Sequence, residues 1–191
     1  MWTRWGVPPC LAVLLLSSVA LGDDNDANDH PLFDAGKLLA TGGVSQLEGA
    51  GGGGLANWAL ITGYGTRDGV GVNAHFTYVD IGNYSLWSEG AAVGLYDRVE
   101  LSYAHMTFDT QHVGALLNLG EGYKIDQDVF GAKVKIVGDA VYDQDSMLPQ
   151  ISFGVQFKHN DRNALLHAIG ASSADGTDFY VAATKLFLEQ S

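Results

Sequence analysis

Four separate stretches of this chain alternate apolar and polar residues with a strict period of two. Val70, Val72, Ala74, Phe76 and Tyr78 interleave with Gly71, Asn73, His75 and Thr77, and Val99, Leu101 and Tyr103 with Glu100, Ser102 and Ala104. Phe130, Ala132, Val134 and Ile136 interleave with Gly131, Lys133 and Lys135, and Ile151, Phe153, Val155 and Phe157 with Ser152, Gly154, Gln156 and Lys158. Successive side chains of a strand point to opposite faces, so each run reads as a strand with one apolar face. Weaker alternation at 58–65, 84–95 and 179–188 brings the expected number to about seven. Several runs are roughly 9 to 11 residues long, beyond the usual strand of a soluble sheet and matched to a tilted strand crossing a bilayer.

The connections fall into two kinds. Residues 66–69 and 96–98 are tight turns, whereas 107–128 and 159–178 are long. Taken in order, Arg67, Asp68, Asp97, Arg98 and the segment 138–148 fall on one rim, and the turn 80–83 with both long loops on the other. Short turns on one rim and long loops on the other are the habit of outer-membrane barrels, although 138–148 is longer than a short-rim turn should be. Aromatic residues near strand ends, Trp58, Tyr64, Tyr78, Tyr84, Trp87, Tyr96, Tyr103, Phe157, Tyr180 and Phe187, suit the girdles that such rings form at headgroup level. A short helix is expected at 163–169, inside a loop, where Leu165, Leu166 and Ile169 share a side.

The N-terminus adds the compartment. Met1 to Trp5 carry Arg4 and no acid, and an apolar run follows from Leu11 to Leu21, broken only by Ser17 and Ser18. That run is about half the length of a spanning helix, and Ala20-Leu21-Gly22 supplies small residues at a cleavage site, so 1–22 reads as a signal peptide for the general secretory route. Cys10 precedes the apolar run, cannot be a lipoprotein acylation site and leaves with the peptide; the remainder has no cysteine, hence no disulfide and no metal-thiolate site. Without Arg4 the ten bases become 9 against 22 acids, a formal net charge of −13, which excludes non-specific nucleic-acid binding.

Residues 23–56 read as a leader, acidic first and then glycine-rich. The acidic run from Asp23 to Asp29 is too polar to fold by itself. Its Asp24, Asp26 and Asn28 imitate the start of a calcium loop, but Asp29 stands where the turn glycine belongs and Ala35 where the bidentate acid belongs. The stretch with Gly42, Gly43, Gly49 and Gly51 to Gly54 lacks the Lys-Ser/Thr of a phosphate loop. It reads instead as flexible or closely packed backbone, of the kind that passes into a barrel lumen.

The expectation is therefore an all-β protein: an antiparallel transmembrane up-and-down β-barrel over 57–191, exported to the outer membrane of a Gram-negative bacterium. Its partners would be outer-membrane lipid and the barrel-assembly machinery. Lipid outside places Asn73, His75, Glu100, Ser102, Lys133, Lys135, Gln156 and Lys158 in the lumen. His75, Glu100, Lys133, Lys135 and Lys158 would tune a passive porin-like channel, the three lysines forming a basic patch for small solutes or anions. The alternative for these lysines is pairing with Glu100, Glu89 or nearby acids in a packed, non-conducting barrel. A second architecture shares the alternation, a soluble periplasmic barrel or sandwich with its apolar face inward around a small apolar ligand.

No enzyme is expected. The nearest constellation, Ser102, His105 and Asp109, puts Ser102 and His105 three positions apart, on opposite faces of a strand. The histidines show no ligand spacing, so no catalytic, cofactor or metal site is assigned; Asp139, Asp143, Asp145 and Asp161 are the acids available to a divalent ion at a rim.

Gly94-Leu95-Tyr96-Asp97-Arg98-Val99-Glu100-Leu101 resembles the strand, tight turn and strand of Gram-negative outer-membrane barrels, and 148–155 resembles another such strand entry. More specifically, 36–49 followed by 58–66, together with 141–145 and 175–185, resembles a proteobacterial family of unknown function. The resemblance covers nearly all of the chain beyond the signal peptide. It implies an outer-membrane barrel of uncharacterised role and supplies no catalytic or binding residues. Members of that family continue past the position of Ser191 with further strands, and Leu188-Glu189-Gln190-Ser191 lacks the terminal aromatic of such barrels, so a truncated chain is expected.

Overall fold

The computed structural model describes residues 44–63, 69–116, 119–141, 143, 145–168, 170 and 172–187. The expected signal peptide and acidic run lie outside the described residues, as do Tyr64, Arg67 and Asp68.

The chain is all-β in its main body, with two short helices. A two-residue ribbon, β1 (Gly52–Gly53) and β2 (Ala56–Asn57), precedes six long strands: β3 (Val70–Asp80), β4 (Ser85–Leu95), β5 (Val99–Asp109), β6 (Lys124–Val137), β7 (Gln150–Asn160) and β8 (Asp175–Thr184). These six pair antiparallel in sequence order, each with its chain neighbours. The β4–β5 connection closes with the Arg98 N–H donating to the Leu95 carbonyl at 2.9 Å, and Tyr96 and Asp97 both have φ near 50°. Positive φ at both central residues is the type I′ geometry whose twist matches a hairpin.

We call the end of the sheet carrying this turn and residues 138–149 the lower rim. The turn after Asp80 and the two long connections form the upper rim. Those connections hold helices α1 (Gln111–Leu116) and α2 (Asn163–Ala168). Alternation anticipated α2 and missed α1. It also drew both long connections too wide, because β5 runs to Asp109, β6 begins at Lys124, and β7 and β8 meet at His159 and Asp175.

The faces of the sheet are inverted relative to a soluble protein. Val72, Leu101, Phe130, Val134, Phe153, Phe157, Phe179 and Val181 are exposed, with Phe179 at 69% and Val181 at 71%, while Asn73, Ser88, Glu100, Ser102, Lys133, Gln150, Ser152 and Gln156 are buried. What buries the polar face is the chain that precedes the sheet. Residues 44–63 lie against it, so the strand expected at 58–65 is not formed in its described part. The reason is local: the Ala59 carbonyl accepts from Gln150 Nε2 and Ser152 Oγ, and the Ala59 N–H donates to Thr184 Oγ1. Side chains of the wall take the hydrogen bonds that a neighbouring strand would otherwise supply.

The unexpected length of 138–148 has a similar explanation. It turns back to bury Ala140 and Val141 against Leu60, with Trp58 packed alongside. Trp58 is thus part of a small interior core rather than a girdle, Tyr84 stacks on Phe108, and Tyr180 points to the polar face, where Gly154 leaves room for its ring. Tyr78, Trp87, Tyr96, Tyr103, Phe157 and Phe187 are exposed as expected.

Candidate functional site: a glycine-rich segment held on the polar face

The centre of the polar face is an ion pair. Lys133 Nζ lies 3.0 Å from Glu100 Oε1, and each side chain is 1% exposed. Strands β5 and β6 set the two residues directly opposite one another. Their remaining hydrogen bonds go to the glycine-rich segment. Glu100 accepts from the backbone N–H of Gly51 at 2.9 Å and of Thr62 at 2.7 Å, and Lys133 donates to the carbonyls of Gly51 and Trp58 at 3.1 Å. A buried charge pair is tolerable when further hydrogen bonds satisfy its lone pairs and protons, and here main-chain groups of one segment do so.

Close approach of backbone explains why the segment is glycine-rich. A Cβ on Gly51 would fall 2.8 Å from Glu100 Oε2 and 3.0 Å from Thr62 Oγ1, and one on Gly94 of the wall would collide with the Thr62 carbonyl oxygen. Further bonds pin the segment from end to end. Asn73 Nδ2 donates to Ser45 Oγ at 2.6 Å, Ser88 Oγ donates to the Leu47 carbonyl at 2.6 Å, and Lys158 bridges Glu48 and Asp178. The seam is not saturated, since Gln46 Nε2, Thr62 Oγ1, Gln150 Oε1 and Gln156 Nε2 have no hydrogen-bond partner among the described residues. Each such buried group costs about 1–3 kcal/mol.

Of the expected lumen residues, the structure gathers all on this face. Glu100 and Lys133 form the central pair; His75 contacts Ser88 Oγ at 3.2 Å; Lys158 holds Glu48. Lys135 sits at the lower rim beside Asp97 and 3.9 Å from Asp139. The three lysines are therefore individually paired with carboxylates, and the basic patch available to anions is not present. Burial pushes the Asp97 carboxyl above the usual aspartate range, against the opposing pull of the Lys135 ammonium. Glu89, one of the acids expected to pair with them, points to the opposite, outer face in register with His105. Ser102 and His105 lie on opposite faces, His105 pairing with Asp128 at 2.9 Å. Asp139 and Asp161 stand at opposite rims, and no group of three or more metal-ligating residues occurs among the described residues.

Sequence reasoning had the glycine-rich stretch as flexible or closely packed backbone of the kind that passes into a lumen, but it did not name the backbone groups of Gly51, Trp58 and Thr62 that bond to the pair. A run of glycines beside a strand-like stretch of four residues, Ala59 to Thr62, was the available signal.

A polar sheet face covered by the chain's own glycine-rich segment, with an opposite face rich in exposed apolar side chains, describes a class of antiparallel sheet proteins without selecting an activity. The chain belongs to the family described as protein of unknown function (DUF3034), whose family model matches residues 41–191. No curated protein and no solved structure matches it.

Proposed function

We propose that this protein is a membrane-spanning β-barrel component of a Gram-negative outer membrane, in which residues 44–62 act as an internal plug that keeps the barrel closed. One observation carries the reading: on six strands of 10 to 14 residues the lower part of the outward face carries large apolar side chains, among them Leu101, Phe130, Val134, Phe153 and Phe179, while Asn73, Ser88, Glu100, Ser102, Lys133 and Gln156 lie inward beneath the plug. An exposed apolar surface of this extent is costly in water and favourable in lipid. Among the described residues no helix is long and apolar enough to cross a membrane.

The barrel is a non-conducting one in this arrangement, because the groups that would line a pore are bonded to the plug. A passive channel for small solutes is the second reading, and it requires 44–62 to leave the polar face. Export by the general secretory route and insertion by the barrel-assembly machinery belong to this reading, which the N-terminal sequence and the outward apolar face support. A soluble periplasmic protein with an apolar ligand cavity needs the opposite orientation of the strands.

Fractionation of cells expressing the protein tests the location. Recovery in the outer-membrane fraction, with a band that migrates differently before and after boiling, is the expected result; release by osmotic shock overturns it. In planar bilayers the intact protein should be electrically silent. Steady open-channel conductance from unmodified protein would mean that 44–62 is not a plug.

A further inference from the structure

His75 is a titratable side chain that lies in the seam between plug and wall without a charged partner among the described residues. It points inward from β3, and Gly90 directly across the ladder makes room for its ring, since a Cβ there would fall 2.6 Å from His75 Cε1. His75 Nε2 lies 3.2 Å from Ser88 Oγ, and Ser88 Oγ donates to the Leu47 carbonyl of the plug at 2.6 Å. A hydroxyl has one hydrogen to give, so Nε2 carries a proton and donates to Ser88, which leaves Nδ1 with its lone pair. That atom is buried and has no hydrogen-bond partner among the described residues. A second proton there would bring a positive charge into the seam together with a donor that nothing receives. The charged groups around it are engaged elsewhere or face away. Glu48 of the plug is held by Lys158, which also meets Asp178, and Glu100 of β5, two inward positions lower, is held by Lys133. Glu89 of β4 and His105 of β5 point to the outer face, and Asp80 at the end of β3 accepts from the Gly82 N–H.

The geometry points to His75 as a proton-operated release for residues 45–49 of the plug, which frees that end from the wall in acid. The inference rests on the plug reading and names its regulation. In water an imidazole takes its second proton at about pH 6.5. Once 45–49 leaves the wall, His75 is hydrated and free to take that proton, whereas in the closed seam the charged form has neither water nor a counter-ion. Protons therefore bind the released state in preference, and the released fraction rises as pH falls. For one such group the gain between about pH 7.5 and about pH 5.5 is about tenfold, in a window that lies above the ordinary carboxylate range. Of the described histidines, His105 and His159 pair with acids on the outer face, and His112 and His167 belong to α1 and α2. His75 is thus the described histidine whose proton the plug feels.

Amide hydrogen exchange of the reconstituted protein, read by mass spectrometry on its peptides, measures the release. Protection, the ratio of intrinsic to observed exchange rate, removes the pH dependence of the exchange chemistry itself. Peptides covering 44–50 should lose about tenfold in protection from the higher to the lower pH. The peptide carrying Thr62, whose N–H is bonded to Glu100, should keep its protection. In His75→Gln, which retains an N–H for Ser88 and cannot be charged, 44–50 should be equally protected at both pH values, and His75→Asn should behave alike. The heat-modifiable band reports that each variant is folded. Equal protection at both pH values in unmodified protein, a loss shared by Thr62, or the same tenfold loss in a folded variant overturns the release and leaves the plug standing. Unprotected amides throughout 44–62 at the higher pH overturn the plug itself.

Discussion

Below the row that Glu89, His105, Asp128, His159 and Asp175 draw across neighbouring strands, the sheet turns Val93, Leu101, Phe130, Val134 and Phe153 outward and Glu100, Ser102, Lys133 and Gln156 inward. Above that row polar residues join Tyr78 and Trp87 on the outer face, and apolar residues join Ser88 and Gln127 on the inner one. Thr107, Asp109, Lys124 and Asp126 point outward, and Val79, Leu86, Phe108 and Ile125 inward. The backbone ladder runs through the change without interruption, so hydrogen bonding does not distinguish the two regions. Side-chain polarity does, and a simultaneous shift on both faces is what a wall would show where it leaves lipid for water. The lower region needs an interior partner for its charges and has the glycine-rich segment. At the upper end the inner face carries apolar contacts such as Tyr84 on Phe108, and His105 and His159 pair with Asp128 and Asp175 on the outer face.

The difference can be broken most severely at the central pair. Glu100→Ala leaves the Lys133 ammonium buried without its carboxylate and removes the acceptor for Gly51 and Thr62. Unfolding of the reconstituted protein in urea should show a loss of about 3–5 kcal/mol, with a smaller loss when Lys133→Met is added. A loss below about 1 kcal/mol would mean that the pair is not sealed as described.

Placing the same charge in each region tests the polarity shift directly. Val134→Arg, low on the outer face, should cost about 2–4 kcal/mol in a bilayer, and Thr107→Arg, above the row, about 0–1 kcal/mol. Equal costs would remove the distinction between the regions. Overpacking the seam is the next effect in size. Gly94→Ala forces the wall and the Thr62 carbonyl apart and should cost about 1–3 kcal/mol, read as a lower temperature for the gel shift. His105→Ala, at an exposed pair above the apolar rows, should cost under about 1 kcal/mol.

The smallest effect is a pH dependence at the lower rim. Because burial raises the Asp97 pKa, the folded protein holds that proton more tightly than the unfolded chain does. Its contribution to stability is full below the ordinary aspartate range and is lost as pH rises through the raised folded value. Asp97→Asn should therefore flatten the urea midpoint across that interval. A steeper dependence in the variant would reverse the sign.

Strand positions and faces were legible because they are local. A period of two is a property of consecutive residues, and it placed β3, β4, β5, β6 and β7 and assigned Asn73, Glu100, Lys133 and Gln156 to one side before any contact was known. The same locality misled at 58–65, where strand-like composition belongs to a segment whose backbone is bonded by side chains of the wall. Alternation could not say which face would be covered, nor by what.

Those choices are made by contacts across long separations. Glu100 finds the Gly51 N–H 49 residues away and the Thr62 N–H 38 residues away, and Lys133 reaches Gly51 across 82. A lysine in an alternating strand carries the same signal whether it lines water or is sealed beneath a glycine-rich segment. Only tertiary structure decided that Lys133, Lys135 and Lys158 are each spent on a carboxylate, because desolvation makes a partner obligatory once 44–62 covers the face. The sequence by itself determined a sheet with one apolar and one polar side; burial of the polar side by the chain's own N-terminal segment turned that sheet inside out.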